Sequence, residues 1–371
     1  MNRFVKFTII LSFCISFQKT NAQPWLSPLN IAFSNDGISF NTPSFFQDSS
    51  GVPSVVKWKS DTLVCVFQWF RQPINSPSWD RVAVKFSYNN GADWTTPIPI
   101  VVNGLPANFQ RPFDPTLTVL SNGKLRVYYS SSNGMPQGND SIINTYSAIS
   151  NDGINYTFEA NARVDEPTNR VIDPAVVYFK NMWHYLSPSG APQQGAVHYT
   201  STDGIVFSKV PDIVSDNNHN WTGNYVVNDT QNLRFYGCGT GSIWFNTSTN
   251  GGVWNGYTAT NIFGGDPSVV KLSNNTYIMI YVGPPNHTSI SENNHNNKNA
   301  YSIYPNPVND WLHIDYIDSI RSLLLFDING NQIFETVATY KFSVANLSRG
   351  IYYLKLIDVT GTIVSKKFVK E

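Results

Sequence analysis

Charge is what this 371-residue chain has least of: Asp, Glu, Lys and Arg make up 13% of it, and 25 cations balance 25 anions. No basic field exists to hold a phosphate backbone, which excludes nucleic acid as a partner. Cysteine is almost as sparse. Cys14 sits near the N-terminus, and Cys65 and Cys238 lie in strand-like apolar surroundings far apart, so two buried free thiols are expected rather than a disulfide. Glutamate is sparse too, with Glu159 and Glu166 the two between residues 23 and 283. The sequence has no glycine-rich phosphate loop, paired CxxC or catalytic-serine motif, so no organic cofactor is expected. Long apolar runs are missing too, apart from Phe7 to Phe17, which is too short to span a bilayer. Arg3 and Lys6 precede that run and Thr20-Asn21-Ala22 follows it, the pattern of a secretory signal peptide over residues 1–22.

What the chain does have is aromatics, 14% of residues, among abundant Gly, Asn, Ser and Thr. This is the composition of a strand-and-turn protein. One phrase recurs: Ser34-Asn35-Asp36-Gly37-Ile38-Ser39-Phe40, Ser150-Asn151-Asp152-Gly153-Ile154-Asn155-Tyr156, Ser201-Thr202-Asp203-Gly204-Ile205-Val206-Phe207 and Ser248-Thr249-Asn250-Gly251-Gly252-Val253-Trp254. A fifth copy, Ser87 to Trp94, is one residue longer. Copies lie roughly 50 residues apart, the period of a propeller blade.

A second repeat alternates with the first. An apolar strand, often opened by Asp-Pro, begins near Val52-Pro53, Asp114-Pro115, Asp173-Pro174, Tyr225 and Asp266-Pro267. A polar turn such as Ser121-Asn122-Gly123-Lys124 and an alternating strand follow each, which reads as a hairpin. The first serine phrase precedes the first inner strand, and the last inner strand has no serine phrase after it. The ends must therefore complete each other. The expected fold is all-β: a five-bladed β-propeller over residues 23–283, closed by N-terminal strands that cover otherwise open edges.

Asn-rich residues 284–300 read as a flexible linker. Beyond it, Tyr304-Pro305-Asn306-Pro307-Val308, Phe326-Asp327-Ile328-Asn329-Gly330-Asn331, Leu347-Ser348-Arg349-Gly350-Ile351-Tyr352-Tyr353 and the basic pair Lys366-Lys367 occur in order. This segment resembles the type A C-terminal sorting domain of the Bacteroidetes type IX secretion system. The resemblance implies a small Ig-like β-sandwich over residues 301–371, the outer-membrane secretion machinery as a partner, and a secreted or cell-surface protein with no transmembrane segment.

Propeller geometry places the serine phrases, as turns between third and fourth strands, on the face opposite the channel mouth. They resemble the Asp-box of sialidases, in which the box is structural. The mouth is where titratable groups should converge. Asp114, Asp173 and Asp266 hold equivalent places, and Arg111 and Arg170 each stand three residues upstream of an Asp, with Glu166 nearby. Phe113, Trp69, Trp79 and Trp221 are candidate stacking platforms for a sugar ring. Five blades with Asp-Pro openings resemble the glycoside hydrolases of family 43 and its relatives. Carried over by position, the resemblance makes Asp114 the base or nucleophile, Asp173 the orienting carboxylate and Glu166 the acid. The first blade departs from the pattern with Val52-Pro53, and the fourth has no Asp-Pro. Two readings stay open here: glycosidic hydrolysis, and glycan binding or adhesion with each Asp capping its own strand. A cation in the channel is compatible with either. His184 and His198, on neighbouring strands, read as a hydrogen-bonded pair rather than a metal site.

Overall fold

The computed structural model describes residues 27–71, 79–134, 143–166, 170–284, 303–314, 320–328, 330–337, 339–358 and 363–371. The signal peptide read from the sequence, and all of the linker but Pro284, lie outside these residues. The chain divides into two compact units, Met1–His287 and Thr288–Glu371. Among the described residues no helix is long and apolar enough to cross a membrane.

The first unit is built from antiparallel sheets consistent with propeller blades. The first sheet runs Ser50–Lys59, Thr62–Trp69, Arg81–Ser87, Ile98–Pro99, and the second Phe113–Val119, Leu125–Ser132, Ile143–Ser150, Asn155–Val164. Val101–Asn103 adds a fifth, parallel strand at the outer edge of the second. The third sheet is Ala175–Phe179, Met182–Pro188, Ala196–Ser201, Ser208–Ile213, and the fourth His219–Val227, Leu233–Gly239, Trp244–Ser248, Tyr257–Ala259. In the last sheet, Gly265–Lys271 and Tyr277–Val282 are joined by Leu29–Ser34 and Ser44–Gln47 from the other end of the chain. Leu29 to Ser34 pairs residue for residue with Val282 to Tyr277. The phase of the two sequence repeats required that pairing, which covers the facing edges of the two half-sheets.

The leading strand of each sheet packs against the leading strand of the next, and the fifth returns to the first. Apolar clusters fill the spaces between successive sheets. Phe67 and Leu63 meet Leu29 and Ile280, Val84 meets Val127, Tyr128 meets Tyr185, Leu186 meets Trp221, and Tyr236 meets Met279. Each of these side chains is at most 1% exposed, and burying one contributes about 1.5–3 kcal/mol.

The serine phrases fasten one sheet to another. In four copies the serine hydroxyl accepts from the glycine N–H at 2.8–2.9 Å, while the Asp or Asn carbonyl or carboxyl oxygen accepts from the next two N–H groups. Each glycine is left-handed, and a Cβ there would strike a neighbouring sheet. At Gly204 it would meet Tyr128 and Trp183 at 2.9 Å, and Tyr128 donates to the Gly204 carbonyl at 2.8 Å. The phrase is a packing device, as its place in the repeat implied.

The second unit packs a three-stranded sheet (Ile303–Tyr304, Trp311–Ile314, Lys341–Ser343) on a four-stranded one (Gln332–Val337, Ile320–Phe326, Gly350–Asp358, Ile363–Lys370). Leu312, Leu323, Leu325, Leu354, Leu356 and Phe368, all fully buried, form the layer between them.

Candidate functional site

Five residues hold equivalent places where the leading strands begin: Val52, Asp114, Asp173, Gly223 and Asp266. All have positive φ, of 45°, 47°, 51°, 152° and 43°. In four sheets the ladder skips at or just before this residue, a bulge that turns its side chain inward. Gly223 is the fourth sheet's counterpart of the Asp. Its place was not legible because Asn224 replaces the proline, and a Cβ at Gly223 would lie 2.0 Å from the Tyr236 carbonyl oxygen.

The bulges gather the three aspartates. Asp173 and Asp266 face a cavity of about 10 Å3, bounded also by Val52, Thr222 and Asn224, with room for about one water. The Asp173 backbone N–H lies close enough to the Asp114 carboxyl to favour its ionised form, and the Val52 N–H does the same for the Asp266 carboxyl. Each thus reaches across to the following sheet. Beneath them a polar plug fills the centre: the Leu117 N–H donates to Ser54 at 2.9 Å, Thr116 donates to Asn224 at 3.2 Å, and the Val55 N–H donates to Ser268 at 3.0 Å.

Such crowding dictates the electrostatics. Burial and then the Asp266 charge push Asp114 up to about 7, against the nearby Asp173 N–H and Ser130 hydroxyl, which favour its ionised form. Burial, then Asp114 and Asp266, hold Asp173 well above the ordinary carboxylate range, with Arg170 opposing. Burial raises Asp266 to about 6. Although each Asp keeps some accessible surface, that of Asp173 and Asp266 opens on the small cavity, so burial dominates. The crowding therefore favours a protonated carboxyl beside an ionised one.

Around the trio the predicted residues divide. Arg170 is exposed and acts on Asp173 through its charge. Arg111 turns instead to Asp80: its Nε donates to the Asp80 carbonyl at 2.6 Å and its guanidinium ion-pairs with the carboxylate. Gln68 donates to the same carboxylate, Arg81 donates to the Trp79 carbonyl at 3.1 Å, and the Asp80 charge adds to the rise at Asp114. Gln68, Asp80 and Arg81 were missed, although Asp80 and Arg81 directly follow Trp79, a candidate platform. Phe113, Trp69 and Trp79 are partly exposed, Trp79 packed 5.7 Å from Phe70 and Trp69 lying 5.3 Å from the Arg71 guanidinium. Phe263, 70% exposed, stands three residues before Asp266, the place that Arg111 and Arg170 hold before theirs. That symmetry could have found it.

Two expectations are corrected. Trp221 is no platform: it is 1% exposed, 4.9 Å from Phe235, 5.1 Å from Trp254 and 5.3 Å from Trp244. Glu166 is not brought to the trio. Lys209 donates to its carboxylate at 2.6 Å and Tyr199 donates as well, and although burial opposes them these donors hold it below the ordinary range, the reverse of what a general acid needs.

His184 Nδ1 and His198 Nε2 are 3.4 Å apart, with burial lowering both and taking His198 down to about 4. Cys65 and Cys238 are free, Cys65 buried and Cys238 half-buried; burial and then the Asp266 charge raise Cys238 to about 12. No group of three His, Cys, Asp or Glu side chains among the described residues is arranged to hold a metal ion.

Residues 302–371 match the family model of the secretion system C-terminal sorting domain, and the chain is accordingly a secreted or cell-surface protein. No curated protein matches the chain. Among solved structures it is similar to a family 117 glycoside hydrolase produced by the marine bacterium Zobellia galactanivorans (11% identity, 63% of this chain and 84% of that one, TM-score 0.47). It is also similar to the Bombyx mori GH32 beta-fructofuranosidase (11% identity, 94% and 90%, TM-score 0.47) and a thermostable family-43 glycoside hydrolase (12% identity, 64% and 93%, TM-score 0.43).

Proposed function

We propose that residues 23–283 form a five-bladed propeller that acts on glycans outside the cell, with Asp114, Asp173 and Asp266 as the working carboxylates. Residues 301–371 hand the chain to the type IX machinery. One observation carries the reading. The bulge requires only a residue that tolerates positive φ, a need that Asn or Gly meets without charge. Three of the five positions nevertheless carry Asp, collected where each raises the free energy of another's ionised form. Such a costly arrangement is what acid–base chemistry uses, because mutual repulsion keeps one carboxyl protonated beside another that is ionised.

In this scheme Asp173, held well above the ordinary carboxylate range, donates a proton to the leaving oxygen, and Asp114 or Asp266 activates water or attacks carbon. Arg170 and the cluster of Asp80, Arg81 and Arg111 hydrogen-bond sugar hydroxyls, with Phe113, Trp69 and Trp79 as stacking surfaces. Replacing Asp114 or Asp173 by Asn should abolish release of reducing sugar from oligosaccharides while the fold persists. Unchanged turnover in both variants would sink the assignment. A second reading, glycan binding without cleavage, is favoured by the cavity of about 10 Å3 and the backbone N–H groups that occupy Asp114 and Asp266. Its signature is oligosaccharide binding with no product and no effect of either Asn substitution on affinity.

A further inference from the structure

Away from the trio, the second sheet carries a cleft of about 550 Å3, within the size range of small-molecule sites. Its floor is a triangle of rings: Phe109 lies 5.1 Å from Tyr146 and 5.7 Å from Phe158, with Tyr146 and Phe158 6.2 Å apart. Its rim is polar, with the Asn133 and Asn161 amides and the Asp165 carboxyl, all three residues exposed.

The wall is a built feature. Where Ile143–Ser150 pairs with Asn155–Val164 the register jumps, Ser147 opposing Glu159 but Thr145 opposing Val164. The looped-out backbone between them supplies Ala160, Asn161 and Ala162 to the cleft. Arg163, 4% exposed, turns inward to hold this loop, its guanidinium donating to the carbonyls of Asn161 at 2.7 Å, Ala160 and Glu159. Asn161 is left-handed at φ 68°. A buried arginine spent on three carbonyls of an irregular loop fixes its shape, and bulges of this kind re-aim side chains beside sites.

We infer that this cleft is a second binding site, for a neutral sugar residue of an oligosaccharide. Aromatic faces stack on the apolar face of a pyranose, and amides donate to and accept from hydroxyls as a carboxylate accepts from them. Among the described residues Asp165 is the single charged group in the lining, so an anionic ligand is disfavoured. The site lies outside the carboxylate trio and holds substrate without taking part in the chemistry proposed there.

The test is calorimetric titration of the full chain with cellohexaose, xylohexaose and maltohexaose. At least one should bind, with affinity retained when Asp114 and Asp173 are both changed to Asn. Asn133→Ala with Asp165→Ala should weaken that binding at least tenfold, since each removes hydrogen bonds to the ligand. Both residues are exposed, so the melting temperature should hold. Phe158→Ala, which removes one ring of the floor, provides an independent second variant. Binding of none of the three sugars, or binding lost with the Asp114 and Asp173 changes and indifferent to all three cleft changes, would overturn the inference. Turnover lost with the trio but sugar binding lost with the cleft separates the two proposals.

Discussion

Replacing Asp114 by Asn tests the electrostatics of the trio apart from any activity. Asn is isosteric, tolerates φ of 47°, and its side-chain oxygen can still face the Asp173 N–H. Only the charge is lost. In the folded protein the Asp114 carboxyl binds its proton more tightly than in the unfolded chain, where a value near 3.8 is restored. A raised acid contributes stability that is complete below about pH 4 and is lost as pH rises through about 7. A rise from 3.8 to about 7 corresponds to about 4 kcal/mol over that interval. Burial partners shared with Asp173 and Asp266 reduce what one substitution recovers to roughly 2–4 kcal/mol. For a unit of this size that is about 5–15 °C in melting temperature. Scanning calorimetry from pH 4 to pH 8.5 should show the wild-type transition of the first unit falling with pH, and the variant falling less steeply and melting higher above pH 7. Equal slopes in the two proteins would refute the claim that these carboxyls are buried together, whatever the activity does.

Three further outcomes follow from the same geometry. Gly204→Ala places a Cβ 2.9 Å from Tyr128 and Trp183 on a left-handed backbone, so it should destabilise the first unit by about 2–4 kcal/mol in denaturant titration without altering sugar binding. His198, depressed to about 4, should stay neutral in an NMR titration down to about pH 5; its contribution to stability is present above 6.5 and lost as pH falls towards 4, and a midpoint near 6.5 would contradict its buried pairing with His184. Trp221→Ala should remove about 3–5 kcal/mol by opening a cavity among Phe235, Trp244 and Trp254, and a variant that kept its stability but lost glycan binding would restore Trp221 as a platform.

The fold was legible because its signals are local and repeated. Ser-x-Asp-Gly needs only its own backbone to make its hydrogen bonds, so five copies announce five turns, and their phase against the leading strands called for the pairing of Leu29–Ser34 with Tyr277–Val282. The site was half legible. Symmetry located Asp114, Asp173 and Asp266, but a contact between sheets has no sequence signature, so the turn of Arg111 towards Asp80 and of Glu166 towards Lys209 could not be read. Trp221 failed for a related reason. An aromatic at a strand start looks the same whether it faces a neighbouring sheet or the mouth.

Val52 sharpens the point. It occupies the same bulge as the aspartates at φ 45°, a conformation that a β-branched residue adopts only under strain of order 1–3 kcal/mol. Packing around the position therefore enforces the left-handed backbone whether or not the residue favours it. If the backbone alone chose the side chain, Val would be the last residue found there and Asn or Gly the first. Instead the first sheet carries Val, whose N–H serves Asp266, the fourth carries Gly, and three sheets carry the one permissive residue that brings a charge. The tolerance for positive φ explains why Asp can stand at these positions. It does not explain why three carboxyls gather around a space for one water that two of them line, and that remainder is what the chemical role proposed above would account for.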